Sequence, residues 1–229
     1  MRDIRAAYNK AIVYGNAKES DYPFNGYKIS KLKPSSRKIA MTNEDLQLFK
    51  SFNIIENPRY EDTYNMFLFS YYAGGMNFKD MTHLRWDNVK EGRLVYKRAK
   101  TKGEFNLKLF DEALKILSYY KQHPKSENTD YIFPIINKYN LTEKQEYGRY
   151  KRCIRKFNKE LNFISESVGI EKNLTSYVAR HSFATHLKFE NIPEDVISEL
   201  MGHSSVAVTK SYLKDFGSGV LDDAMSKLN

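Results

Sequence analysis

The sequence predicts a mainly α-helical domain carrying a small antiparallel β-hairpin, an α+β fold, and three observations carry that expectation. Apolar residues recur at three- and four-residue intervals over most of the 229 residues, the pattern of helices that pack by one face. One stretch, RLVYKRAK followed by TKG and EFNLKL (93–109), instead has the alternation and tight-turn chemistry of two paired strands. With 41% hydrophobic residues, the chain can bury one substantial core.

The elements follow in order. Ile4, Tyr8, Ala11 and Ile12 make residues 2 to 14 an amphipathic helix, and the loop chemistry of GNAKESDYPFNG ends it. That helix has no domain of its own to pack against. Residues 1–39 therefore read as the last helix of a truncated upstream domain, followed by a basic linker, GYKISKLKPSSRK. The main domain is expected over 40–215. Thr42 opens its first helix, with Asp45 in the capping-box position and a run to about Phe52. Helices are expected next from about Arg59 to Ala73 and from Phe78 to Leu84, then the hairpin with its turn at Thr101 to Gly103. After it the pattern is helical over Asp111–Lys121, Glu143–Ser167, Ser176–Glu190, Pro193–Met201 and Ser205–Lys214. In the tail, 216–229, Leu221, Ala224, Met225 and Leu228 fall at helical spacing, too short a run to be stable alone.

Charge narrows the function. Lys and Arg number 37 against 28 Asp and Glu, a formal net charge of +9, and the excess is clustered. The linker is one cluster and YKRAKTK, which includes Lys102, is another. In the third, Arg149, Arg152, Lys156 and Lys159 recur at helical spacing beside an apolar stripe of Cys153, Phe157, Leu161 and Ile164. Such a surface fits a polyanion, with nucleic acid the first candidate. No run approaches the roughly 18 apolar residues of a membrane span, and the N-terminus lacks the apolar core of a secretory signal, so a cytosolic protein with no membrane partner is expected. The single cysteine, Cys153, can form neither an internal disulfide nor a zinc cluster by itself.

The densest chemistry lies in TSYVARHSFATHL (175–187). His181 and His186 are five apart, which turns the second about 140° from the first on a helix, unlike a zinc-gripping i, i+4 pair. No metal is expected there, and His186 reads as a packed histidine. An anion fits better. Thr175 or Ser176 would cap the helix, so that Tyr177, Arg180 and His181 project from first turns whose unpaired amides and dipole favour a phosphate. Further on, SELMGHSSVAVTKSYL ends one helix at Gly202, holds His203 in a tight turn, and displays Tyr212 from the next helix.

Taken together, the Arg180-His181 pair and the Gly202-His203 turn, nine residues before Tyr212, resemble the tyrosine recombinase or phage integrase family over essentially all of 41–215. YVARHS and the hairpin's RAKT are similar to a branch of that family carried by mobile genetic elements. The resemblance implies the family's catalytic-domain fold, with Tyr212 as nucleophile and Arg180 and His203 on the non-bridging oxygens. It also implies Lys100 as general acid, with Lys102 as the alternative, and His181 and Tyr177 as supports. Two positions depart from the family pattern. Tyr177 stands where many relatives have histidine. Asn77 stands where the first catalytic arginine belongs, although Asp80 matches the acidic support position. On a strand, side chains two apart share a face, so Arg98 is expected to project beside Lys100 and supply the missing charge.

The activity so implied is DNA strand cleavage and rejoining through a covalent 3′-phosphotyrosyl link, serving integration or excision of a mobile element. It needs neither cofactor nor metal. The implied partners are double-stranded DNA and further protomers in a tetrameric synapse, with the tail docking on a neighbour. Two alternatives stay open: a DNA-binding module with degraded activity, which Asn77 favours, and a helix-turn-helix regulator built on the last helices.

Overall fold

The computed structural model describes residues 2–25, 39–99, 103–124, 129–202 and 209. The chain forms two compact units, Met1–Arg37 and Lys38–Asn229. In the first, helix α1 (Arg2–Val13) is bonded to the loop that follows it. Arg5 donates from Nε to the Tyr22 hydroxyl at 2.8 Å, and the Tyr8 hydroxyl donates to the Asp21 carbonyl at 2.9 Å. The Tyr8 and Tyr22 rings lie 5.7 Å apart. Tyr8 thus packs locally, on the stretch that reads as loop in the sequence, while Ile4 and Val13 stay exposed.

The second unit opens at α2 (Asn43–Lys50), whose Thr42–Asp45 capping box forms as the sequence predicts, each side chain bonding the other's backbone amide. Lys172 reaches Asp45 as well. Burial opposes the carboxylate's charge, but the Lys172 ammonium and the Thr42 bonds outweigh it and hold the Asp45 pKa below its ordinary value. Helix α3 (Glu61–Tyr72) runs through the core, burying residues from Thr63 to Ser70 on nearly every face. A helix apolar all round must be surrounded, and α3 packs against α5 (Asp111–Gln122), α6 (Glu143–Ser167) and α7 (Val178–Phe189). Its buried hydroxyls are paired: Thr63 donates to Glu160 at 2.5 Å and Ser70 to the Met76 carbonyl at 2.6 Å.

Between α3 and α5 lie the short α4 (Phe78–Met81) and a three-stranded antiparallel sheet in the order β1 (Val89–Lys90), β2 (Arg93–Lys97), β3 (Glu104–Lys108). β2 and β3 are the expected hairpin, with Leu94 opposite Leu107 and Tyr96 opposite Phe105. β1 is not foreseen by the sequence, because two residues are too few to show alternation. Leu94, Tyr96 and Arg98 share the inward face by the strand's period of two, and Arg98 N–H still pairs with the Gly103 carbonyl at 2.9 Å just beyond β2. Residues 100–102 lie outside the described residues, which removes Lys100 and Lys102 from structural account.

Helix α7 begins two residues later than expected. Tyr177 is its N-cap, with no side-chain cap bond, and neither Thr175 nor Ser176 has that role. The cause lies on α6, where Asn162 Oδ1 accepts the Leu174 amide at 2.9 Å and Asn158 Oδ1 accepts the Ser176 amide at 2.8 Å. These two asparagines, one helical turn apart, hold the approach to α7 out of the helix.

Helix α8 (Glu194–Leu200) packs back on α7 through Phe183, Ala184, Ile197 and Met201. Of the expected 205–214 helix only Thr209 is described, and it is buried. His203, Tyr212 and the 216–229 tail lie outside the described residues. The start of this unit is fastened to α7 as well. Met41 donates its amide to Ser182 Oγ at 2.8 Å, and its carbonyl accepts from His186 Nε2 at 2.8 Å. No described helix is long and apolar enough to cross a membrane.

Candidate active site

Three chain segments converge around Arg180: the α3–α4 turn, the end of β2, and the turn that follows α8. Arg180 lies on the first turn of α7 and is 3% exposed. Its guanidinium donates from Nη1 to the Gly75 carbonyl at 2.8 Å and from Nη2 to the Met201 carbonyl at 2.5 Å. Gly75 makes that approach feasible. Its φ of +67° is costly for other residues, and a Cβ there would stand 3.0 Å from the Arg180 Cα. Gly202 is held in the same way at the other contact, with φ +59° and no space for a side chain, since a Cβ would lie 1.8 Å from the Phe105 Cζ.

Arg98 enters from the sheet and is 5% exposed. Nη1 donates to the Met201 and Gly202 carbonyls at 3.2 and 2.5 Å, and Nε lies 3.6 Å from Asp80 Oδ2. Asp80 Oδ1 in turn accepts the Ala99 amide at 3.0 Å. A buried carboxylate costs several kcal/mol unless it is paired and hydrogen-bonded, and Asp80 obtains both from the end of one strand. Arg98 thus ties the sheet, α4 and the turn after α8 to one point. Burial also drives the pKa of neighbouring Tyr96 well above its ordinary value, so it is a neutral wall of this region.

In front of Arg98 opens a cleft of about 350 Å³, lined among others by Asn77, Asp80, Arg98, Ser176 and Tyr177. Tyr177 is 44% exposed, and its ring lies 5.3 Å from that of buried His181. Asn77 caps α4 through its backbone, while its Oδ1 is buried without a hydrogen-bond partner among the described residues. The structure therefore brings together Arg180, Arg98, Asp80, Asn77, Tyr177 and His181. Two guanidiniums against one carboxylate leave a net positive site bordered by donors, an environment suited to a phosphodiester.

Two further sequence expectations resolve differently. His186 is a packed histidine, as expected. Its Nε2–H bonds the Met41 carbonyl, which leaves Nδ1 to accept from the Tyr71 hydroxyl at 2.7 Å and fixes the neutral tautomer. Burial lowers the His186 pKa and pushes that of Tyr71 up to about 12. Arg149 is not the open cation that helical spacing suggests. Its Nε donates to the Ile135 carbonyl at 2.5 Å and Nη2 to that of Pro134 at 3.4 Å, so it props the loop before α6. Arg152, Lys156 and Lys159 are exposed along the same helix, Lys156 within 3.7 Å of Glu160. The parts that sequence reading missed are backbone acceptors at Gly75 and Met201 and the amide clamps Asn158 and Asn162. Only the asparagines carry a signal, an i, i+4 pair on the buried side of a basic helix.

Comparison with known proteins decides the lineage, since a match to the Phage integrase family covers residues 40–217. The chain belongs to the phage integrase family. Among curated relatives of this integrase-family chain, tyrosine recombinase XerA from Thermococcus kodakarensis is 25% identical over 183 residues, covering 79% of this chain. The chain spans 60% of the length of that relative. Two solved structures share the fold. The Tn1549 transposon integrase in complex with a circular intermediate DNA superposes with a TM-score of 0.63 at 18% identity, covering 99% of this chain and 77% of that one. A lambda integrase dimer bound to a COC′ core site gives 0.65 at 15% identity, covering 93% and 71%. The mainly helical architecture with its small antiparallel sheet is thus that of the tyrosine recombinase catalytic domain.

Proposed function

We propose that this chain is the catalytic part of a site-specific DNA recombinase. The observation that carries the reading is the convergence of Arg180 and Arg98 on the carbonyls of Met201 and Gly202, the residues immediately before His203. Tyr212 attacks the scissile phosphorus as its phenolic proton is lost to solvent; the bond to the 5′ oxygen breaks, and Lys100 protonates that leaving oxygen. The DNA 3′ end is then esterified to Tyr212. A 5′ hydroxyl from another strand reverses the attack, so rejoining requires no external energy source. Arg180 and His203 stabilise the charge that grows on the non-bridging oxygens, a contribution worth about 10²–10³ in rate for a single donor. Tyr177 borders the phosphate from the cleft, and His181 backs it.

Double-stranded DNA is the substrate and other protomers are partners, a reading supported by relatives solved as a dimer on a core site and as a complex with circular intermediate DNA. A tetrameric synapse, exchange of the 216–229 tail between protomers, a cytosolic site of action and service to a mobile element complete the proposal. The 1–39 segment is read as the end of an upstream DNA-binding domain with its linker. The test is covalent capture on nicked duplexes, in which the short product beyond the scissile phosphate diffuses away. An adduct that disappears in Tyr212→Phe is the expected result. DNA binding without any adduct would instead favour the second reading, a binder with degraded catalysis, for which Asn77 is the specific observation.

A further inference from the structure

The acidic position three residues beyond Asn77 is occupied by Asp80, and its buried carboxylate is matched to an arginine that does not come from position 77. Arg98 reaches it from the sheet, with Nε 3.6 Å from Oδ2 and both side chains almost wholly buried. Asn77 and Arg98 line the same cleft with Tyr177. One terminal nitrogen of Arg98, Nη1, is fixed by the Met201 and Gly202 carbonyls, while no hydrogen bond among the described residues uses Nη2. The planar fork is therefore oriented at one nitrogen and has donors remaining at the other.

We propose that Arg98 is the second phosphate cation of this site, replacing the arginine expected at position 77, and that Asp80 holds its guanidinium at the mouth of the cleft. This rests on the recombinase reading above. The geometry gives the substitution a physical logic. A single carboxylate can neutralise one guanidinium, so an arginine at 77 beside Arg98 would place two buried cations on Asp80 alone. A neutral amide at position 77 removes that conflict, because the cation arrives from the strand end. As Asn77 is the N-cap of α4 and Asp80 is its third residue, an arginine placed at 77 remains within reach of Asp80 once Arg98 is gone.

The experiment uses the full chain and a pool of nicked duplexes with randomised bases, from which covalent adducts of the parent chain are recovered and sequenced. The recovered duplex is then remade with either a phosphodiester or an uncharged methylphosphonate at the scissile position. Arg98→Ala is expected to slow adduct formation on the phosphodiester by about 10²–10³-fold. On the methylphosphonate, where no anionic charge needs a counterion, the deficit should shrink by at least about tenfold, a response that a purely structural arginine would not give. Adding Asn77→Arg to Arg98→Ala should restore phosphodiester cleavage by a similar factor, with thermal melts reporting the folded fraction of each variant. Undiminished cleavage by Arg98→Ala, or an equal deficit on both substrates without rescue, overturns the role of Arg98 alone. Absence of any adduct from the parent chain overturns the recombinase reading and this role with it.

Discussion

Arg98 and Arg180 donate to the same oxygen, the carbonyl of Met201, at 3.2 and 2.5 Å, one guanidinium arriving from the sheet and the other from α7. Two cations sharing one acceptor are energetically coupled. Arg98→Ala leaves Asp80 buried and unpaired and is expected to cost about 3 kcal/mol, while Arg180→Ala should cost about 2 kcal/mol. Because each removal frees the shared carbonyl for the other arginine, the double variant should differ from the sum of the singles by about 0.5–1 kcal/mol. Urea denaturation of the four proteins measures that coupling, and strict additivity would refute it.

The turn before His203 depends on a glycine pressed against a ring. Gly202→Ala must both adopt φ near +59° and displace Phe105, whose ring is stacked on Tyr96 at 5.0 Å. A loss of at least about 2 kcal/mol is expected. Adding Phe105→Leu should recover only part of it, since the smaller side chain relieves the overlap and leaves the backbone strain of about 1 kcal/mol. Full recovery of the melting temperature in the double variant would show that the conformation of residue 202 contributes nothing.

His186 makes stability fall with acid. Burial holds its folded pKa below 6.5, so as pH drops below 6.5 the unfolded chain takes up a proton that the folded chain resists. Its contribution is therefore complete above about pH 7 and declines through the interval beneath 6.5. His83, also lowered by burial with Lys79 adding to it, acts in the same direction. His186→Gln should flatten the stability profile between pH 7 and 5 without abolishing its slope, as followed by chemical denaturation at stepped pH. An unchanged slope would assign the acid sensitivity elsewhere.

On DNA, the residues of α6 should divide into two classes. Alanine at exposed Arg152 or Lys159 is expected to weaken binding and to reduce the slope of log K against log salt by about one unit for each phosphate the variant no longer neutralises. Arg149→Ala should leave that slope unchanged and instead destabilise the chain by about 1–2 kcal/mol, because its guanidinium is committed to the Pro134 and Ile135 carbonyls. Titrations at several salt concentrations separate the two outcomes.

The contrast between Arg149 and Arg152 also shows what a sequence carries and what it does not. Helical periodicity locates α6 residue by residue and assigns Phe157, Leu161 and Ile164 to the core, because that face is defined by the helix itself. It cannot reveal that a loop passes close enough to lend Arg149 two carbonyl oxygens, since backbone acceptors look alike at every position. The same blindness explains α7. Its existence, and the inward facing of its periodic residues, is legible. The cap at Tyr177 is not, because it is set by asparagines on another helix. In the site, Arg180 and Asp80 were recognisable from local motifs. The alternation of β2 placed Arg98 on a definable face, but only the fold pairs it with Asp80.

The two bonds of Met41 have a mechanical meaning. Its amide and its carbonyl are both held by α7, through Ser182 and His186, within two turns of Arg180. The chain is therefore anchored on the helix that carries Arg180 before it enters α2. Loosening either bond would therefore free the first residues of this unit and the middle of α7 together, so the entry to the unit and that helix share one fastening.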